Sequence, residues 1–212
     1  MLQVYDIPSQ YLDYPVSHQV LLSLLKDYKR PNDKIYEMIK AGDLIPLKRG
    51  LYQFRNPSGI LPEPFNVANV LYGPSYVSAE SALSYYGFIP EQVFTITSIT
   101  TKKSASFRNE IGTFDYQHLS IPYYSFGIQR INLREGQYAL IATPEKALFD
   151  QIIITKGLLF RSASSAREFL LENMRMDEIH LREMNTFNMK SWLNEAPKKE
   201  SLENTIKAIQ SL

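Results

Sequence analysis

The first 55 residues pass from a helical period to a strand period. Val20, Leu21, Leu24 and Leu25 recur at spacings of three and four behind Ser17, which predicts a capped helix running to about Tyr28. Pro31 stops that helix and can start the next, and Asp33 in the new first turn suits the positive helix end. In this second helix Ile35, Met38 and Ile39 point inward, Asn32, Lys34, Glu37 and Lys40 outward, and Gly42 supplies a left-handed exit. From Leu44 the period is two. Leu44, Ile45 and Leu47 predict one strand, Lys48-Arg49-Gly50 a turn, and Leu51, Tyr52 and Phe54 the return strand. Ahead of these elements, Met1–Pro15 is Tyr-rich and broken by Pro8 and Pro15, which predicts an ordered arm without regular structure.

Asn56–Pro64 (NPSGILPEP) holds three prolines, a glycine and a serine, and reads as a linker. Beyond it the pattern predicts a short helix over Phe65–Leu71 and a second, Ala79–Tyr86, capped by Ser78 and ended by Gly87. Val93–Thr101, Thr113–Ile121, Ile128–Leu133 and Tyr138–Ala142 read as strands, and their short links favour a mostly antiparallel sheet. Thr143-Pro144-Glu145 is a cap, a first-turn proline and an acid, starting a helix over Ala147–Ile154 that ends near Gly157. The remainder reads as helical, roughly Ser164–Met174, Asp177–Met184, Met189–Asn194 and Ser201–Ile209. The expected fold is α+β in two modules, 1–58 and 63–212.

Charge sharpens this picture. The 212 residues carry a net charge of only +1, yet residues 26–56 hold eight Lys or Arg against four Asp or Glu. Residues 61–212 hold fifteen against sixteen, so the positive excess lies wholly in the first 60. A short helix followed by a basic hairpin is the geometry that lays a helix in a DNA groove and a wing on flanking phosphates. The sequence thus predicts a reduced winged helix, with two helices before the wing. Arg30 lies in the turn between those helices, Asn32, Lys34 and Lys40 face the groove, and Lys48, Arg49 and Arg55 neutralise phosphates. A solvated hairpin tip would account for the same charges, and a winged helix can also serve as a protein-packing surface. A non-enzymatic interaction module that does not bind DNA is therefore the alternative.

Composition narrows the classes. A 44% hydrophobic chain with 12% aromatic residues can bury a substantial core. No apolar run approaches the roughly 18–20 residues needed to cross a bilayer, and the N-terminus lacks a signal-peptide pattern. The lack of cysteine excludes disulfides and thiol catalysis and fits a cytoplasmic location. His18, His118 and His180 are scattered, so no metal site is expected, and no cofactor motif is present. There is no GxxxxGK[ST] and no G-x-S-x-G, and Asp115 has no following D-x-K or E-x-K strand, so no catalytic site is expected. His118 reads as a packed or surface residue. Tyr76, Tyr85, Tyr86, Tyr123 and Tyr124 read as core and boundary residues rather than a base-stacking platform. Lys102, Lys103 and Arg108 form a charged loop tip or a second phosphate contact.

Three stretches resemble the AbiEi-type antitoxins of bacterial abortive-infection, type IV toxin–antitoxin systems. They are DKIYEMIKAGDLIPLKRGLYQF at 33–54, YVSAESALSYYGFIPEQVFTITSITTKKSASFRNEIGTFDYQHL at 76–119, and LIATPEKALFDQI at 140–152. The likeness runs from about residue 17 onward. It implies a bacterial transcriptional regulator that binds inverted repeats in its own promoter, double-stranded DNA, through the N-terminal winged helix. It also implies a C-terminal region that counters a cognate nucleotidyltransferase-like toxin. Inverted repeats suit a homodimer, though cooperative monomers would serve.

Overall fold

The computed structural model describes residues 10–134 and 136–212. Most of the N-terminal arm lies outside the described residues. Its last part contains a single helical turn, α1 (Gln10–Asp13), followed by a two-residue strand, β1 (Val16–Ser17). Then come α2 (His18–Leu24), α3 (Pro31–Ala41), β2 (Leu44–Lys48) and β3 (Leu51–Phe54). The strands form a three-stranded sheet in the order β1-β3-β2, with Val16 opposite Tyr52 and Leu44 opposite Phe54. The strand β1 was not legible because two residues carry no period.

Local chemistry sets the start of α2 and both ends of α3 as expected, but α2 stops at Leu24, short of Tyr28. The Ser17 side chain accepts the Val20 N–H at 3.3 Å, and Pro31 opens α3. Gly42, at φ +80°, closes α3 in the left-handed conformation. Leu21, Leu25, Ile35, Met38, Leu44 and Phe54 pack into a small core with Val16. The other face of the hairpin goes elsewhere: Ile45, Leu47 and Leu51 belong to the core of the larger body. Both strands are therefore covered on both faces, which is why LIPL and LYQF read as almost continuous apolar runs.

The body begins with α4 (Pro64–Leu71), β4 (Ser75–Val77) and α5 (Ala79–Tyr85). The strands β5 (Thr95–Thr100), β6 (Ala105–Arg108), β7 (Thr113–His118), β8 (Ile128–Arg134) and β9 (Gln137–Ala142) follow. They make a six-stranded sheet in the order β6-β7-β5-β4-β9-β8. Three pairings are antiparallel, but β4–β9 and β5–β7 are parallel, so the sheet is mixed. The sequence pattern did not show β4 and β6, one of three residues and one largely polar, and both reorder the strands.

Tyr116 stands in register with Ser98 and Val77, and its hydroxyl donates to the Ala68 carbonyl of α4 at 2.6 Å. Tyr76, one residue from Val77, points the opposite way, towards α6 (Pro144–Ile154). So α4 and α6 cover opposite faces. On α4, Asn69 pairs its side-chain amide with the main chain of Leu140, accepting at 2.6 Å and donating at 3.2 Å, and Asn66 donates to the Tyr138 carbonyl at 2.9 Å. These amides satisfy a stretch of β9 that β4 is too short to reach. Behind α6 lie α7 (Ala163–Glu168), a π-helical turn (Phe169–Asn173), α8 (Glu178–Glu183), α9 (Thr186–Trp192) and α10 (Lys199–Gln210). The fold is α+β. Among the described residues, no helix is long and apolar enough to cross a membrane.

Candidate nucleic-acid interface

The eight cations of residues 26–56 divide by what already holds them. Arg30 pairs with Asp33 at 3.6 Å. Lys34 pairs with Glu37 at 3.4 Å, its ammonium lies 5.9 Å from the Tyr28 ring, and its side chain is only 19% exposed. Exposed pairs of this kind are weak, so Arg30, its side chain 81% exposed, stays open to a phosphate, whereas Lys34 is mostly covered. Arg55 donates through Nε to the Gly42 carbonyl at the end of α3, at 2.8 Å, and pairs through Nη2 with Glu110 of the body. It brackets α3 to the body.

Lys48 also turns inward, where a place at the hairpin tip was expected. It donates to the Leu71 carbonyl at 2.5 Å and sits 5.8 Å from the Tyr72 ring and 5.7 Å from the Phe107 ring. Burial, with the Lys102 ammonium nearby, pushes its pKa below the ordinary lysine value. The physical reason is the register shift between Pro46 and Lys48, beside a hairpin face already pressed on the body. Lys26, Lys29, Lys40 and Arg49 remain. All four are exposed, and none has an ion pair among the described residues. Asn32 is exposed on the same outer side of α3 as Lys40.

The body's expected loop residues are partly engaged too. Lys102 donates to the Gly73 carbonyl at 2.5 Å and lies 5.1 Å from the Tyr72 ring, while Lys103 and Arg108 are exposed. His118 is exposed, with Nδ1 3.0 Å from the Lys102 carbonyl. Among the described residues, no group of three His, Cys, Asp or Glu could hold a metal ion.

A second charged constellation escaped the sequence reading. Asp150 and Lys146, four residues apart on α6, are both fully buried and 2.8 Å apart. The Asp150 carboxylate also accepts from Tyr76 at 2.9 Å, from Ser78 at 2.6 Å and from Tyr123 at 3.1 Å. Lys146 donates further to the Tyr123 carbonyl at 3.2 Å and lies 3.3 Å from the centre of its ring. Ser78, expected as a helix cap, makes no capping bond because its hydroxyl serves Asp150. Burial lowers the Lys146 pKa, with Asp150 opposing, and raises those of Tyr76 and Tyr123, with the Asp150 charge reinforcing.

This network joins the YVSAES and ATPEKALFD stretches. Its residues are at most 1% exposed, and the network ties α6 to β4 and to the turn that carries Tyr123. The signal that would have found it is a lysine and an aspartate one turn apart in PEKALFDQIII, a helix otherwise almost wholly apolar.

No protein-family model matches this chain, and no curated protein matches it. Among solved structures it is similar to the crystal structure of the RV2827C protein from Mycobacterium tuberculosis, with a TM-score of 0.62 and 13% identity. The match covers 96% of this chain and 78% of that one. At this identity the likeness concerns the fold alone.

Proposed function

We propose that this chain is a bacterial transcriptional regulator that binds promoter DNA through an N-terminal winged helix, and that it acts as autorepressor and antitoxin of an AbiEi-type system. One observation carries the DNA-binding part. The outer face of α3 is uncovered, and in the hairpin turn Arg49 is exposed and unpaired among the described residues. The element order α1-β1-α2-α3-β2-β3, with its sheet order β1-β3-β2, supports the winged-helix reading. The antitoxin part rests on the motif resemblance, and the body is then a non-catalytic scaffold built around the Lys146–Asp150 network.

The test is a gel shift on the DNA upstream of the chain's own coding sequence. Wild type should bind, and Lys40→Glu/Arg49→Glu should lose binding at moderate salt. Equal shifts by both proteins would reject this interface. Co-expression with the neighbouring gene tests antitoxicity: the reading requires a toxic nucleotidyltransferase-like product whose effect this chain relieves.

A further inference from the structure

Resting on that DNA-binding reading, we propose that Tyr36 is the specificity-determining residue of this chain, reading base edges in the major groove from the centre of an Asn32–Tyr36–Lys40 row. A lone exposed aromatic needs no explanation. This one has a position that does. Asn32, Tyr36 and Lys40 are spaced by four along α3 and all three are exposed, Tyr36 at 59%. The helix spends Ile35 and Met38 on the core, and the contact shown for the Tyr36 ring among the described residues is the Lys40 ammonium, 4.7 Å from its centre.

Electrostatics isolates the row. The carboxylates beside it, Asp33 and Glu37, are matched by Arg30 and Lys34. The row itself therefore presents an amide, a phenol and one cation with no ion pair among the described residues. Residues four apart rise about 6 Å along a helix, close to two base-pair steps of roughly 3.4 Å. Asn32 can pair with an adenine edge, and the Tyr36 ring and hydroxyl can meet a thymine methyl or a base-edge acceptor. Lys40, held over the ring, is placed for a phosphate beyond the row.

The experiment selects binders from a randomised duplex pool, then measures affinity for the best duplex and for an unrelated one. Wild type, Tyr36→Ala, Tyr36→Gln and Lys40→Gln are compared, with melting curves to show that each is folded. Both Tyr36 variants should lower the ratio of specific to unrelated affinity by roughly tenfold while leaving the dependence on salt unchanged. Lys40→Gln should lower that salt slope by about 0.9 and keep the preferred sequence. If either folded Tyr36 variant keeps its ratio within twofold while Lys40→Gln weakens binding, the proposal falls and the DNA-binding reading stands. If wild type binds every duplex alike or none, both fall.

Discussion

On α3 and on α6 a lysine is ion-paired with a carboxylate one turn away, and the fold treats the two pairs in opposite ways. On α3, Lys34 and Glu37 lie at the surface, their side chains 19% and 66% exposed. On α6, Lys146 and Asp150 have no exposed surface at all, and three hydroxyls converge on the same carboxylate. The spacing is similar; the neighbours differ. Lys146 and Asp150 enclose Ala147, Leu148 and Phe149, all buried, whereas Lys34 and Glu37 enclose one buried residue, Ile35, and one exposed residue, Tyr36. Charge in water is interchangeable, and charge out of water is structural. The functional proposal therefore belongs to the first region, and the greatest sensitivity to mutation belongs to the second.

The sharpest way to break this contrast is Asp150→Ala. It strands a buried ammonium and removes the acceptor from Tyr76, Ser78 and Tyr123, so it should cost about 3–5 kcal/mol by urea unfolding. Glu37→Ala should change stability by no more than about 0.5 kcal/mol. Equal effects would erase the distinction.

Alkaline pH probes the same network. The folded-state pKa values of Tyr76 and Tyr123 lie above the ordinary value of 10.0. Between 10 and the raised folded value, the unfolded chain releases protons that the folded one retains, so stability falls as pH rises. Each group contributes a slope of at most about 1.4 kcal/mol per pH unit. Lys146, with its pKa lowered, acts in the opposite sense, and only below about 10.5. Above that value Tyr76→Phe should flatten the fall in urea midpoint, and an unchanged slope would remove Tyr76 from the account.

Gly127, at φ +57°, packs against the same network. An added Cβ would lie 2.7 Å from the Lys146 Cβ and 2.9 Å from a Trp192 ring carbon. Gly127→Ala should therefore cost about 2–3 kcal/mol through overpacking and strain. Smallest is the bracket between the two regions: a double-mutant cycle on Arg55 and Glu110 should give a coupling of about 0.2–1 kcal/mol.

The sequence revealed elements wherever caps and periods agreed. Pro31 and Gly42 bound α3, Thr143 and Pro144 start α6, and the hairpin follows its alternation. It concealed what depends on distant partners. Lys48 and Arg55 read as phosphate contacts because nothing local shows that Leu71 and Glu110 will receive them. Ser78 read as a cap because Asp150 lies 72 positions away. Of the expected interface residues, Arg30, Asn32, Lys40 and Arg49 are exposed, and Tyr36 was overlooked because aromatic residues are ordinarily assigned inward.

The central claim is that cations left unpaired on the surface, rather than all eight of the segment, meet phosphate. Its most direct measurement is the slope of log affinity against log salt for a duplex from the chain's own upstream DNA. The account predicts that Lys40→Gln/Arg49→Gln flattens the slope by about 1.8 units and that Lys34→Gln leaves it unchanged. An unaltered slope in the double variant, or an equal loss in Lys34→Gln, would contradict it.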